Sequence, residues 1–488
     1  MKKIYMRAGM SPTEILEPGH MLLNNSIGYN VGNLLYAFGV NRALTVEDTE
    51  VVPNYYKVEP SKADKINETY DAFIIPLADA FRNDAGMRAE LRNMTALIKK
   101  LTIPCIVIGA GLSAPFEPNL QKKFAFDDDV KAFLSAVLDK SSIVGVRGEI
   151  TSQYLSNLGF IEGKHHMVIG CPSMYTYGKH LKIRDTSITK DSRISVNSSI
   201  LSPVNVLNFL NHTMEEIKDH YFLPQRLQEM KLVYTGAPYV HEQKGKEMYP
   251  TQMTDRLYRE NRVRFMLNVP TWLDFLRQAD LSIGGRLHGN IAATVAGTPS
   301  ILIPHDARMR ELTEYHNLTH VWAKDIKEDT DVFELASKLN FHGVENVHEK
   351  NFERYVDFLD KNNLNHIFKN GEDPEESPLD RRVKEVGALP PLETIQSCSF
   401  EELVERWQSF YPADERKTEK LKKEVRELRA KTKTLETKVK KLEKEVKASN
   451  ENKEDKKASA KENSDTNNSK AKEDTKGLFS NIKKMLPF

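Results

Sequence analysis

Residues 284–306 read GGRLHGNIAATVAGTPSILIPHD, and they follow the apolar LSI of residues 281–283. Those three residues read as a strand that stops at Gly284–Gly285. A helix is expected from about Leu287 to Ala296, capped by Gly297 and kept from continuing by Pro299. Arg286 and His288 then stand where the carboxyl end of a strand meets the amino end of a helix. In open α/β sheets that junction is the ligand crevice, and the helix start adds unpaired N–H groups and partial positive charge. An anion belongs there. Arg286 offers a planar fork to a phosphate or carboxylate, and His288 can hydrogen-bond the same group or move a proton. The plainer reading has His288 capping its own helix and Arg286 pairing with a distant acid. Two glycines, the arginine, the histidine and the strand-to-helix switch together favour the anion.

The same alternation runs through the preceding chain. FIIPLADAF, IPCIVIGAGL, SSIVGVRGE and HHMVIGCPS read as strands with their exits, and AELRNMTALIKKL, DDVKAFLSAVLDK and ITSQYLSNLGF read as the helices between them. That rhythm implies a parallel sheet covered by helices on both faces. It pauses near 177–193 and restarts with RISVNSSI, KLVYTGAPYV as the next strand, and ADLSIGG. Two Rossmann-like α/β domains are therefore expected, at 1–185 and 190–328, the second carrying the anion site. Residues 329–412 are expected to add bracing helices and no new strands.

From Asp414 the composition turns to Lys and Glu with sparse Leu and Val. Leu421, Leu428, Leu435 and Leu442 recur every seventh residue, and so do Val425, Thr432, Val439 and Val446. This assigns the β-branched set to position a and the leucines to d, a choice that favours a parallel two-stranded coiled coil over 414–447, with the dimer seam at 421–446. Across such a dimer Glu424 meets Arg429, Lys431 meets Glu436 and Lys438 meets Glu443, all opposite in sign. Residues 448–475 lack large apolar side chains and read as a disordered linker. The last segment, 476–488, places Leu478, Phe479, Ile482, Met485 and Leu486 on one helical face. This suits a short amphipathic helix docking on an anionic membrane surface or a protein partner.

The whole-chain figures limit the possible functions. The 488 residues are 40% hydrophobic and carry 70 basic against 69 acidic side chains, so the total charge does not suggest a nucleic-acid partner. Cys105, Cys171 and Cys398 are far apart, which offers no disulfide framework and no thiolate metal site. Neither a secretory leader nor a run of about 18–20 apolar residues is seen, and a cytoplasmic protein is expected, held at most on the inner face of the membrane. The turn Gly109-Ala110-Gly111 lacks the G-x-G-x-x-G spacing, so no nicotinamide or flavin cofactor is expected.

The run Ser282-x-x-x-Arg286-Leu287-His288-Gly289, followed by Gly297 and Pro299, resembles the C-terminal signature of the polysaccharide pyruvyl transferases. Asn30-x-Gly32-Asn33, Arg147 in GVRGE, and Gly170-Cys171-Pro172 resemble other motifs of that family in the same order, over roughly residues 20–325. Asn33 and Cys171 stand where the family often has aspartate, and His305-Asp306-Ala307-Arg308 resembles an aromatic-D-x-K pattern with its ends changed.

The resemblance implies a GT-B-like pair of domains facing a cleft. It also implies transfer of the enolpyruvyl unit of phosphoenolpyruvate to two hydroxyls of a sugar, in a cell-surface polysaccharide or its lipid-linked precursor. A pyruvate ketal forms and phosphate leaves. Arg147, Gly285, Arg286, Leu287 and His288 would bind the donor, Arg286 and His288 as the catalytic pair. Asn30, Gly32, Asn33, Gly109, Gly111 and Asp306 would line the cleft. Phosphoenolpyruvate would serve as co-substrate, with no further cofactor and an open question of metal. Two alternatives stand beside this reading: a GT-B glycosyltransferase using a nucleotide sugar, since the same helix start can hold a diphosphate, and a non-catalytic coiled-coil adaptor.

Overall fold

A computed structural model describes residues 1–370, 373–374 and 376–461, with side chains as far as residue 448. The fold is mixed α/β, built on two parallel sheets. In the first, strands β1 (Lys2–Met6), β2 (Thr49–Pro53), β3 (Ala72–Pro76) and β4 (Cys105–Ile108) lie in the order β2-β1-β3-β4. A bridge from Ala110 to Val146 carries the sheet on to β5 (Val144–Val146), which pairs in parallel with β6 (His166–Val168). The second sheet has β7 (Arg193–Asn197), β8 (Asp219–Phe222), β10 (Leu281–Gly284) and β11 (Ser300–Leu302), ordered β11-β10-β7-β8.

Both faces of the first sheet are covered, as a period of two in the side chains requires. Phe73, Ile75, Cys105 and Val107 point into one core with Leu91, Met94 and Phe133. Ile74, Ile106 and Ile108 point into the other. This second core is continuous with the second sheet through Ile283, Ile291 and Ile301, so the two halves share one apolar interior. Between them runs the helix Gly32–Leu44, buried at nearly every position.

Two expectations about elements need correction. KLVYT is not a strand: it closes the helix Leu227–Thr235, which ends on Gly236 in the left-handed conformation. The strand is the shorter DHYF of β8, whose alternate side chains are buried. The segment beyond 329 does add a strand, since β12 (Leu392–Glu393) pairs antiparallel with β9 (Arg264–Phe265). It also returns to the first half. Tyr355 of the helix Glu345–Lys361 stacks on Tyr175 at 4.9 Å, and Arg42 forms ion pairs with Asp373 and Asp380 at 2.6 and 2.7 Å.

Residues 1–411 form one compact unit and 412–488 a second. The last helix spans Phe400–Lys461. In the second unit Leu421, Val425, Leu428, Leu435, Leu442 and Val446 are exposed along it. Its backbone stays helical past residue 448, where composition alone reads as a tether; the Lys, Glu and Ala residues of this stretch favour helix, against its Asn, Ser and Asp. The amphipathic segment expected at 476–488 lies outside the described residues. Among the described residues no helix is long and apolar enough to cross a membrane.

Candidate active site

The junction after β10 is held by its neighbour β7. Gly284 has φ +153°, and a Cβ there would lie 1.7 Å from the Asn197 carbonyl oxygen, so only glycine fits. Gly285 N–H donates to that carbonyl, and Arg286 N–H donates to the Asn197 side-chain oxygen at 2.8 Å. Asn290, one turn into the helix Leu287–Val295, donates to the carbonyls of Gly284 and Arg286 at 3.0 and 2.9 Å. Two asparagines thus fix a turn whose helix has no side-chain cap. Its first N–H groups keep their capacity to hold an anion.

Neither arm of the plainer reading is seen. Arg286 itself occupies the N-cap position, and His288 does not cap the helix. Among the described residues Arg286 makes no ion pair; its Nε lies 3.5 Å from the Gln225 side-chain oxygen. The nearby carboxylate of Glu229 is occupied by the N–H groups of Gln225 and Arg226 and by the Tyr249 hydroxyl. Burial lowers the Arg286 pKa, with Glu229 opposing.

His288 packs against the start of the helix Gly32–Leu44. A Cβ at Gly32 would come within 2.8 Å of the His288 Cβ and 2.9 Å of its Nδ1. Its ring centroid is 6.0 Å from that of Tyr36, and its Nε2 is 3.9 Å from the Cys171 sulfur. Burial, reinforced by Arg147 and Arg308, holds its pKa well below the ordinary 6.5. The imidazole is therefore neutral near pH 7.

Behind Tyr36 lies Arg147, fully buried at the end of β5. Its guanidinium sits 4.9 Å over the Tyr36 ring, and its Nε donates to the Gly109 carbonyl at 3.1 Å. Nη1 and Nη2 have no hydrogen-bond partner. A buried guanidinium with two unsatisfied ends is costly unless a ligand completes it. Next to it, Glu311 accepts from the Thr151 N–H and hydroxyl at 2.9 Å each, across the two halves. Burial raises its pKa to about 7, against those hydrogen bonds and Arg147.

A third cation completes the group. Arg308 reaches Asp79 at 3.0 Å and Asp306 at 3.1 Å, and its buried Nε is unpartnered. Burial acts to raise the Asp79 pKa, but Arg308, Arg82 and Arg147 outweigh it and hold the carboxyl well below the usual range. Asp306 also caps the helix Ala307–His316 by accepting from Met309 N–H.

A cavity of about 280 Å³ opens on this ground, lined by Asn30, Gly285, Arg286, Leu287, His288 and Asp306, with Arg308 and His305. Arg147, expected to bind the donor, and Gly32, Asn33, Gly109 and Gly111, expected on the cleft wall, do not line it. Gly32 lies under the His288 ring, Asn33 donates to the carbonyls of Gly28 and Ile27, and Gly109 and Gly111 cradle Arg147. Sequence reasoning missed Asn197, Tyr36, Asp79 and Glu311; a polar residue ending the apolar strand RISVN was the one local signal. A larger hollow of about 520 Å³ lies at the opposite, amino-terminal edge of the first sheet, near Lys2, Asp71 and Lys140, away from the strand ends that face a ligand. Among the described residues no cluster of His, Cys, Asp and Glu is arranged to hold a metal ion.

The family model described as polysaccharide pyruvyl transferase matches residues 30–307. No curated protein matches the chain. Among solved structures it is similar to the S. aureus MnaA–UDP co-structure, at 13% identity and TM-score 0.40, covering 78% of this chain and 99% of that one. It is also similar to the Methanocaldococcus jannaschii UDP-GlcNAc 2-epimerase in complex with UDP-GlcNAc and UDP, at 13% identity, 74% and 99% coverage and TM-score 0.38. Acinetobacter baumannii MurG is similar at 12% identity, 74% and 100% coverage and TM-score 0.30.

Proposed function

Since this chain belongs to the polysaccharide pyruvyl transferase family by a match over more than half of its length, it is a transferase, and we propose that phosphoenolpyruvate is its donor. Two hydroxyls of a sugar, in a cell-surface polysaccharide or its lipid-linked precursor, are the acceptors, and a pyruvate ketal and phosphate are the products. The observation that carries this reading is the cavity at the uncapped helix start, lined by Arg286 and Arg308, with the fully buried Arg147, both Nη groups unsatisfied, packed on Tyr36 beside His288. Phosphoenolpyruvate brings a phosphate and a carboxylate close together, and separated cationic forks suit two such groups. The two parallel-sheet halves around this cavity fit a GT-B-like arrangement.

The chemistry uses His288 as follows. A neutral imidazole between guanidinium groups gains basicity when a dianion arrives, because the phosphate charge offsets the arginines. It then takes a proton from solvent, and the imidazolium delivers that proton to the methylene carbon, leaving an oxocarbenium-like carbon that a sugar hydroxyl attacks. The proton of that hydroxyl returns to the imidazole. The second hydroxyl displaces phosphate, which leaves with the second proton, so the ketal keeps one carboxylate and the charges balance. Two copies joined at 421–446 would carry two such sites, and residues 477–488 would bring them to a membrane surface or protein partner.

The second reading, a nucleotide-sugar glycosyltransferase, rests on the same uncapped helix, which suits a diphosphate equally well. Melting temperatures of the full chain with phosphoenolpyruvate, with UDP and with neither separate the two. At about 100 times its dissociation constant a ligand stabilises the fold by about 2.7 kcal/mol. A rise with phosphoenolpyruvate that disappears in Arg286→Ala is expected. A rise with UDP alone would overturn the pyruvyl reading.

A further inference from the structure

A second cavity, of about 300 Å³, shares one wall with the anion cavity: His305 lines both. Its other side is an aromatic corner. Phe116, on the loop after β4, and Trp322, on the loop that follows the helix Ala307–His316, meet with centroids 5.2 Å apart and planes at 74°. Both are half-buried, and they come from opposite halves of the compact unit. The corner is held in place. Asn205 donates to the carbonyls of Ala323 and Ile326 on either side of the tryptophan loop's end, at 2.7 and 3.0 Å. His320 packs on the Trp322 ring at 4.2 Å, and Arg310 sits 5.5 Å over Phe116. Ala307 N–H, at the start of the helix that leads to the tryptophan loop, donates to the Ala114 carbonyl two residues before Phe116.

We propose that this corner is the acceptor-sugar subsite, binding one C–H face of a pyranose on Trp322 with its edge against Phe116. The proposal rests on the transferase reading above and adds residues to it. A pyranose has an apolar face and a polar rim, which matches aromatic rings beside His305, Asn205 and Lys324. Two rings set nearly at right angles make a corner, not the parallel slot that sandwiches a flat base. The shared His305 wall also puts the sugar hydroxyls beside the donor cavity, where a nucleophile has to be.

Saturation-transfer NMR on the full chain, with methyl galactoside, glucoside, mannoside and N-acetylglucosaminide as probes, tests this. We expect transfer concentrated on the C–H protons of one ring face of at least one glycoside. Its affinity should fall at least about ten-fold in both Trp322→Ala and Phe116→Ala and recover in part in Trp322→Phe. All three variants should keep the melting shift with phosphoenolpyruvate, which shows that they fold and that the donor cavity is intact. Unchanged glycoside affinity in the alanine variants, or no transfer from any probe, would overturn the subsite. So would UDP binding that is lost in the same variants, because the corner would then hold a base. If glycosides bind at the corner while phosphoenolpyruvate shifts nothing, the donor reading falls and the subsite stands.

Discussion

Glu311 ties one half of the compact unit to the other through a carboxyl that prefers its proton. Its pKa is raised from 4.5 to about 7 by burial. Below pH 4.5 both the folded and unfolded chains hold that proton. As pH rises towards 7 the unfolded chain releases it first, so folding loses stability, by at most roughly 3 kcal/mol, and the loss levels off above pH 7. Glu311→Gln cannot titrate. Urea unfolding at pH 5 and pH 8 should show the wild-type chain losing its stability advantage over the variant across that window; a constant difference would mean that the group does not titrate there. No local pattern marks Glu311, whereas Arg286 and His288 announce themselves by spacing. Glu311 sits in an ordinary amphipathic helix, and its partner Thr151 is 160 residues away in the chain.

At the scale of elements, the site depends on the starts of two helices meeting. Gly32 opens one and His288 lies in the first turn of the other, with no room for a methyl group between them. Gly32→Ala should push the imidazole out of place, lower stability by about 1–3 kcal/mol as overpacking does, and remove the phosphoenolpyruvate melting shift while far-UV circular dichroism stays unchanged. A full ligand response in that variant would show that His288 placement is not needed for donor binding. Legibility varied among elements for physical reasons. Long apolar runs such as IPCIVIG declare a buried strand. KKIYM, the strand at the heart of the first sheet, is five residues with two lysines at the chain start and resembles a basic terminus. KLVYT has the β-branched and aromatic look of a strand, yet it ends a helix whose buried face includes Met230, Val233 and Tyr234.

For the whole molecule, the leucine and valine row beyond residue 412 is exposed in a single chain. The heptad with its opposite-sign flanking pairs supports a parallel dimer. A chain ending at Tyr411 should sediment as a monomer and keep its phosphoenolpyruvate shift. Full-length protein should sediment as a dimer that Leu428→Asp with Leu435→Asp dissociates. A full-length monomer at micromolar concentration would remove the dimer from the functional picture. Trp407 and Phe410 argue for cutting no earlier, since the indole donates to the Thr235 carbonyl and Phe410 is buried in the first unit.

Local periodicity suffices for much of this protein. The alternation of strands and helices from Ala72 to Val168 and the placing of Arg286 and His288 at a strand-to-helix switch are written in neighbouring residues, because backbone geometry repeats every two or 3.6 positions. What periodicity does not carry is which distant groups meet. That Arg147 ends with two unsatisfied nitrogens, that Asn197 holds the turn before Arg286, that four expected cleft residues stand behind the wall, and that Phe116 and Trp322 form one corner all depend on packing between segments far apart in the chain. Such contacts leave no local trace because each side chain, read alone, is compatible with many neighbours. The shared core of the two halves selects among them.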